Sequence, residues 1–96
     1  MSIQIVVLVS GLTLLGEVAE VAEGVVITHP VNVITVPSTP QKQGGLAFVP
    51  FLEYTQEFDT GIALKRDQIL TIVTPTEEIA RKHQSIFSNL ILPPSV

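Results

Sequence analysis

The fold turns on one stretch, Val25-Val26-Ile27-Thr28-His29-Pro30-Val31-Asn32-Val33-Ile34-Thr35-Val36. Read with a period of two, it places Val25, Ile27, His29, Val31, Val33 and Thr35 on one face and Val26, Thr28, Pro30, Asn32, Ile34 and Val36 on the other. That is the longest strand candidate in the chain. Pro30 has no N–H to give to a ladder, so its N–H side must meet an edge, a bulge or a break. His29, beside it, reads as a strand residue near an edge.

On the N-terminal side, Ile3 to Ser10 is apolar except at Gln4 and reads as a strand buried on both faces or lying at a subunit contact. Gly11 supplies a turn. Leu12 to Val21 is a looser alternation in which Glu17 and Glu20 fall out of phase, so Gly16 between the two halves marks a bend or bulge. Glu23-Gly24 is the next turn. On the C-terminal side, Pro37 to Gly45 is a surface loop, Leu46 to Leu52 resumes a strand interrupted by Pro50, and Glu53 to Asp59 is polar around Tyr54 and Phe58. Ile62 to Leu64, a turn at Lys65-Arg66-Asp67, and Ile69 to Val73 read as a last hairpin. The count is five strands, or six if Leu46 to Leu64 breaks in two.

Composition supports this reading, since 13 Val, 10 Ile and 9 Thr favour strands through their stiff Cβ branching. The period then changes. Thr74-Pro75-Thr76-Glu77 is a capping box with proline at the first helical position, and Ile79, His83, Ile86, Phe87 and Leu90 recur at helical spacing. Glu77 with Arg81 and Glu78 with Lys82 add two pairs worth about 0.4–1 kcal/mol together. The expected organisation is therefore an all-β body over 1–74, a helix over 75–90 and an extended tail over 91–96.

The chain has 96 residues, enough for one domain, with 9 acidic against 5 basic residues and a net charge of -4. That argues against broad electrostatic capture of nucleic acid or an anionic membrane. With 46% apolar residues and a mean hydropathy of +0.49, so short a chain has little interior in which to hide its apolar surface. The longest apolar run, Ile5 to Val9, is far shorter than the roughly 20 residues of a spanning helix. A secretory signal is not expected either, because such a signal starts basic and the first Lys or Arg is Lys42. Absence of cysteine suits a reducing compartment, and a cytoplasmic location is expected. The surplus apolar surface then points to burial against other copies.

The chain shows no sequence pattern for catalysis, metal or cofactor. His29 and His83 lie in different elements without ligand neighbours at metal spacing, and Glu17, Glu20 and Glu23 read as a solvated acidic face. Gly44-Gly45 lacks the Lys-Ser/Thr of a phosphate loop. Lys65-Arg66 in the turn and Arg81-Lys82 on the helix are solvent-facing charge in a monomer. In a ring, one Lys-Arg turn per copy would become a circle of about ten positive charges around a pore.

Strand, Ser10-Gly11, four residues, Gly16, then Glu17-Val18-Ala19-Glu20-Val21 resembles the first Sm motif, and Leu64-Lys65-Arg66-Asp67-Gln68-Ile69 resembles the second, with Pro37 to Gly45 as the variable loop between. The resemblance to the Sm-like small β-barrel family covers Ile3 to Val73. It implies a five-stranded, strongly bent antiparallel SH3-like barrel that closes into a homo-oligomeric ring of about five to seven copies, each adding an edge strand to the next. On that resemblance, Leu46, Phe48, Ile62, Leu64, Ile69, Thr71 and Val73 lie at the interface between copies, and Lys65 and Arg66 are the RNA-binding candidates at the pore. The Asp and Asn that hold uridine in RNA-binding members are replaced by Ala22 and Val26, and the second motif's Arg-Gly by Lys65-Arg66. The insert Leu46 to Leu52 and the Thr-Pro-Thr-Glu-Glu helix start are similar to Sm-like proteins of cyanophages, which implies a host cytoplasm. The expected function is a non-enzymatic ring with weak RNA binding at its pore, and the alternative is an adaptor ring that binds protein and no nucleic acid.

Overall fold

The computed structural model describes residues 2–41 and 43–91, with side-chain surroundings as far as 87. Lys42, the expected tail over 92–96 and the side chain of Leu90 lie outside the described residues. The architecture is all-β with one C-terminal helix, as expected. β1 (Ser2–Leu8), β2 (Thr13–Val21) and β3 (Gly24–Val36) form an antiparallel meander, followed by β4 (Gly45–Pro50), a short helix α1 (Glu57–Thr60), β5 (Ile62–Lys65), β6 (Ile69–Val73) and α2 (Glu77–Ile91).

The meander is bent where β2 meets β3. Leu15 pairs with Val31 and Glu17 with Thr28, so Gly16 alone faces the two residues His29 and Pro30. This is a β-bulge, and it absorbs the proline whose missing donor a regular ladder could not tolerate. Gly16 is needed for the close approach: a Cβ there would lie 2.8 Å from both Ile27 Cγ1 and the Thr28 carbonyl oxygen. β3 changes partner at the same point, its first half (Gly24 to Ile27) pairing with β5 and its second half (Val31 to Val36) with β4. The region from Leu46 to Leu64 thus breaks in two, and β4 and β5 occupy successive halves of one side of β3, giving six strands in five lateral positions.

The reading of Ile62 to Val73 as a hairpin is corrected. β5 pairs with β3, while β6 pairs with β1 at the opposite end of the strand path. The link between them is a single 3-10 turn, Arg66–Gln68. Three residues can join the two ends of a sheet only if the sheet has curled round to bring those ends together. The turn is clamped from both sides, the Val9 N–H donating to the Gln68 carbonyl at 2.9 Å and the Arg66 N–H to the Glu23 carbonyl at 2.9 Å.

Successive side chains of a strand point to opposite faces, so the curled sheet has two apolar faces. Val6, Leu8, Leu14, Val18, Val25 and Ile27 fill the barrel, with Ile62, Leu64, Ile69 and Ile72 packed on them. Leu15 and Val31 point outward and are buried with Phe58 of α1 and Phe87 of α2, alongside Ile3, Ile5, Phe48 and Ile79. The two-sided burial expected for the first strand is explained by this second layer. α2 starts two residues later than its proline suggests: the Thr76 hydroxyl accepts the Ile79 N–H at 3.4 Å and its carbonyl the Ala80 N–H at 3.0 Å, so Thr76 is the cap and Pro75 precedes it. The helix therefore runs over 77–91, displaced from the expected 75–90, and Ile91, placed in the tail by the sequence pattern, ends it.

Closure makes Gly24 critical, because a Cβ there would fall on the Leu64 carbonyl oxygen and lie 2.9 Å from the Arg66 nitrogen. Gly24→Ala must push β5 off β3, and it is expected to cost about 1–3 kcal/mol, read as a lower urea midpoint. Gly45→Ala, whose Cβ would meet nothing within 4 Å, is the matched control and leaves the midpoint within about 0.5 kcal/mol.

Candidate functional site

The bulge creates the most unusual local geometry in the molecule. His29 sits in it with φ 52°, a left-handed conformation rare for a side chain of this size, and is only 8% exposed. It is buried mid-sheet, which corrects its placement near an edge. The cost of the strained backbone is offset by what surrounds the ring. Phe87 of α2 stacks on it at 4.9 Å with an interplanar angle of 2°, and Phe58 of α1 meets it edge-on at 5.3 Å. Nε2–H donates to Asp59 Oδ1 at 3.0 Å. Among the described residues Nδ1 has no hydrogen-bond partner, and Glu17 Oε2 stands 3.8 Å from it.

Because the bulge takes His29 out of the ladder, its carbonyl is available to another element. His83 of α2 uses it, donating from Nε2–H to the His29 carbonyl oxygen at 2.8 Å. A carbonyl can only accept, so this bond fixes the His83 tautomer with its proton on Nε2. His83 is 1% exposed, its ring 4.7 Å from that of Phe87, and its Nδ1 is buried with no partner among the described residues. Burial holds its pKa below the usual 6.5; the bond to the His29 carbonyl and the charge of Glu17 oppose that shift, and His29 adds to it. One further contact holds the helix down, Lys82 Nζ lying 4.9 Å from the centre of the Phe48 ring.

The site is thus a joint of four elements: Glu17 from β2, His29 from β3, Phe58 and Asp59 from α1, and His83 and Phe87 from α2. It joins two histidines that the sequence pattern kept apart, and it draws Glu17 out of the supposed solvated acidic face, while Glu20 and Glu23 remain exposed. Asp59 was not foreseen, and the one local signal was Phe58-Asp59 just before Gly61, the residue that caps α1. Among the described residues, no group of three or more His, Cys, Asp or Glu side chains is placed to hold a metal ion. What the arrangement does is dock a helix.

The other anticipated residues separate into two sets. Lys65 is exposed at the end of β5, and Arg66 turns its guanidinium back, Nη2 lying 3.4 Å from the Val21 and Ala22 carbonyl oxygens. Lys65 lines a cavity of about 430 Å³ whose walls are mainly Val21, Ala22, Val25, Ala63 and Leu64. Of the interface candidates, Leu46, Thr71 and Val73 are exposed, Phe48 is half-buried beneath Lys82, and Ile62, Leu64 and Ile69 are half-buried against the barrel's own interior.

Fold and site together define a small antiparallel barrel with a docked C-terminal helix. The chain belongs to a family described as "Family of unknown function (DUF6561)", whose profile matches residues 1–88. No curated protein matches it.

If Phe87 is the plate on which both imidazoles rest, Phe87→Ala should cost about 3–5 kcal/mol in thermal or urea unfolding, whereas Ile86→Ala, one residue away on the exposed side, should cost under about 1 kcal/mol.

Proposed function

We propose that this protein is a non-enzymatic, Sm-like barrel that works as a homo-oligomeric ring. The observation that carries the reading is the pair of free strand edges. Among the described residues, β4 pairs only with β3 and β6 only with β1, and they are the two ends of the strand path. Both carry exposed apolar side chains: Leu46 and Val49 on β4 are 43% and 46% exposed, and Leu70 and Val73 on β6 are 68% and 45% exposed. Open apolar edges invite strand addition. Because the two edges differ, pairing β4 of one copy with β6 of the next is head-to-tail and closes as a ring when the rotation allows.

Weak RNA binding at the pore through Lys65 and Arg66 is the ligand reading attached to that ring, with Sm-like proteins of cyanophages as the proposed relatives and the host cytoplasm as the proposed location. The adaptor reading, a ring that docks protein and no nucleic acid, has a specific observation in its favour. Arg66 already faces two carbonyls of its own chain, and Lys65 stands beside Glu23 over mainly apolar walls, a poor cradle for phosphate.

Light scattering on the purified protein should give about five to seven times the 10.4 kDa chain mass. Leu70→Lys, which charges the β6 edge without touching the core, should shift the mass towards one chain. A wild-type monomer would overturn the ring. Titration with labelled single-stranded RNA then separates the two ligand readings: affinity that falls with salt and is lost in Lys65→Ala/Arg66→Ala supports RNA, and no binding at low salt leaves the adaptor.

A further inference from the structure

We propose that α2 is a proton-released cover: a proton taken up at His83 Nδ1 undocks the helix and uncovers the outer apolar face built by Leu15, Val31 and Phe58. The proposal does not depend on the ring. It starts from the buried bond at 2.8 Å from His83 Nε2 to the His29 carbonyl, which commits the only proton of the neutral ring. Nδ1 of the same ring is buried without a partner among the described residues. A second proton there would create a buried cation with an unsatisfied N–H beside the Phe87 ring, costly wherever water cannot reach. Leaving the barrel hydrates both nitrogens at once.

The charged and titratable groups around His83 decide how strong the effect is. From β2, Glu17 attracts an imidazolium and works against release. From β3, His29 works for release when it carries charge, and its own ring has carboxylates at both nitrogens, Asp59 of α1 at 3.0 Å and Glu17 at 3.8 Å. Both ring nitrogens of His29 therefore face carboxylates, whereas Nδ1 of His83 faces no acceptor among the described residues. On α2 itself Lys82 adds a positive charge one residue away, held over Phe48 of β4. Burial outweighs Glu17 in this balance.

The sign follows from linkage. Docked His83 binds its second proton only below its ordinary value of 6.5, whereas undocked His83 binds it at that value. The docked state therefore has its full advantage above pH 6.5 and loses it as pH falls below 6.5, levelling off beneath the lowered value. Within that window the docking equilibrium weakens by up to about tenfold per pH unit.

Hydrogen exchange read segment by segment, corrected for the intrinsic pH dependence of exchange, tests this on the full chain between about pH 7.5 and 5.5. Protection of the α2 amides should fall by up to about tenfold per pH unit below 6.5, while the β1 and β2 amides keep theirs. A pH-independent α2, or an equal loss in β1 and β2, overturns the proposal on the wild-type protein alone. His83→Gln keeps a neutral donor and should flatten the α2 profile; a slope that persists in the folded variant overturns the proposal. Glu17→Gln should keep the slope or steepen it, and its disappearance would assign the response to the carboxylate instead.

Discussion

Two residues of β3 oppose one of β2 at Gly16, and the rest of the molecule is arranged around that mismatch. The extra residue relaxes the ladder where Pro30 could not have donated, bends the meander, and lets β3 take one partner before the bend and another after it. Curling then becomes sufficient for one 3-10 turn to carry the chain from β3's side of the sheet to β1's. The same bulge turns the His29 backbone to φ 52° and frees its carbonyl. A strained residue persists only when its surroundings fix it from several sides. Here two phenylalanines, a carboxylate and the incoming His83 do so.

The second apolar layer explains how a chain of 96 residues holds so much hydrophobic sequence. β1 and β2 pack on both faces, inward in the barrel interior and outward, where Leu15 is buried and Ile3 and Ile5 partly so, against Phe58 of α1 and Phe87 of α2. Part of the surplus that composition assigns to neighbouring copies is thus used within one chain. What is left over is concentrated at β4 and β6, where no regular ladder partner is present among the described residues. Charge is equally uneven: against a net charge of -4, Lys65 and Arg66 are both exposed at one turn, where Arg66 faces backbone carbonyls.

Much of the fold could be read from local pattern. Gly16, read as a bend or bulge, and Pro30, read as an edge, a bulge or a break, meet in one bulge from opposite strands, because each has a backbone property, no Cβ and no N–H, that a regular ladder cannot use. The turn at Gly11, the break within Leu46 to Leu64 and, on α2, the inward placing of Ile79, His83 and Phe87 were legible for similar local reasons, whereas Ile86 of the same expected stripe is exposed. Lys65-Arg66-Asp67 suits a 3-10 crossing as readily as the tight turn of a hairpin, and only the curvature of the whole sheet decides between them. The joint was invisible on different grounds. Asp59 lies 30 residues from His29 and His83 lies 54 from it, so nothing local couples them. Glu17 looked like one of three surface acids until β3 placed an imidazole opposite.

The account rests on His83 reaching the carbonyl that the bulge releases, and the ring nitrogens of His83 report it directly. Nitrogen-15 spectra of the histidine side chains at about pH 7.5 should show His83 as one neutral tautomer, protonated at Nε2, slow to exchange with water and scalar-coupled to the His29 carbonyl carbon. An Nδ1-protonated ring, or a rapidly exchanging average of the two tautomers, would contradict it.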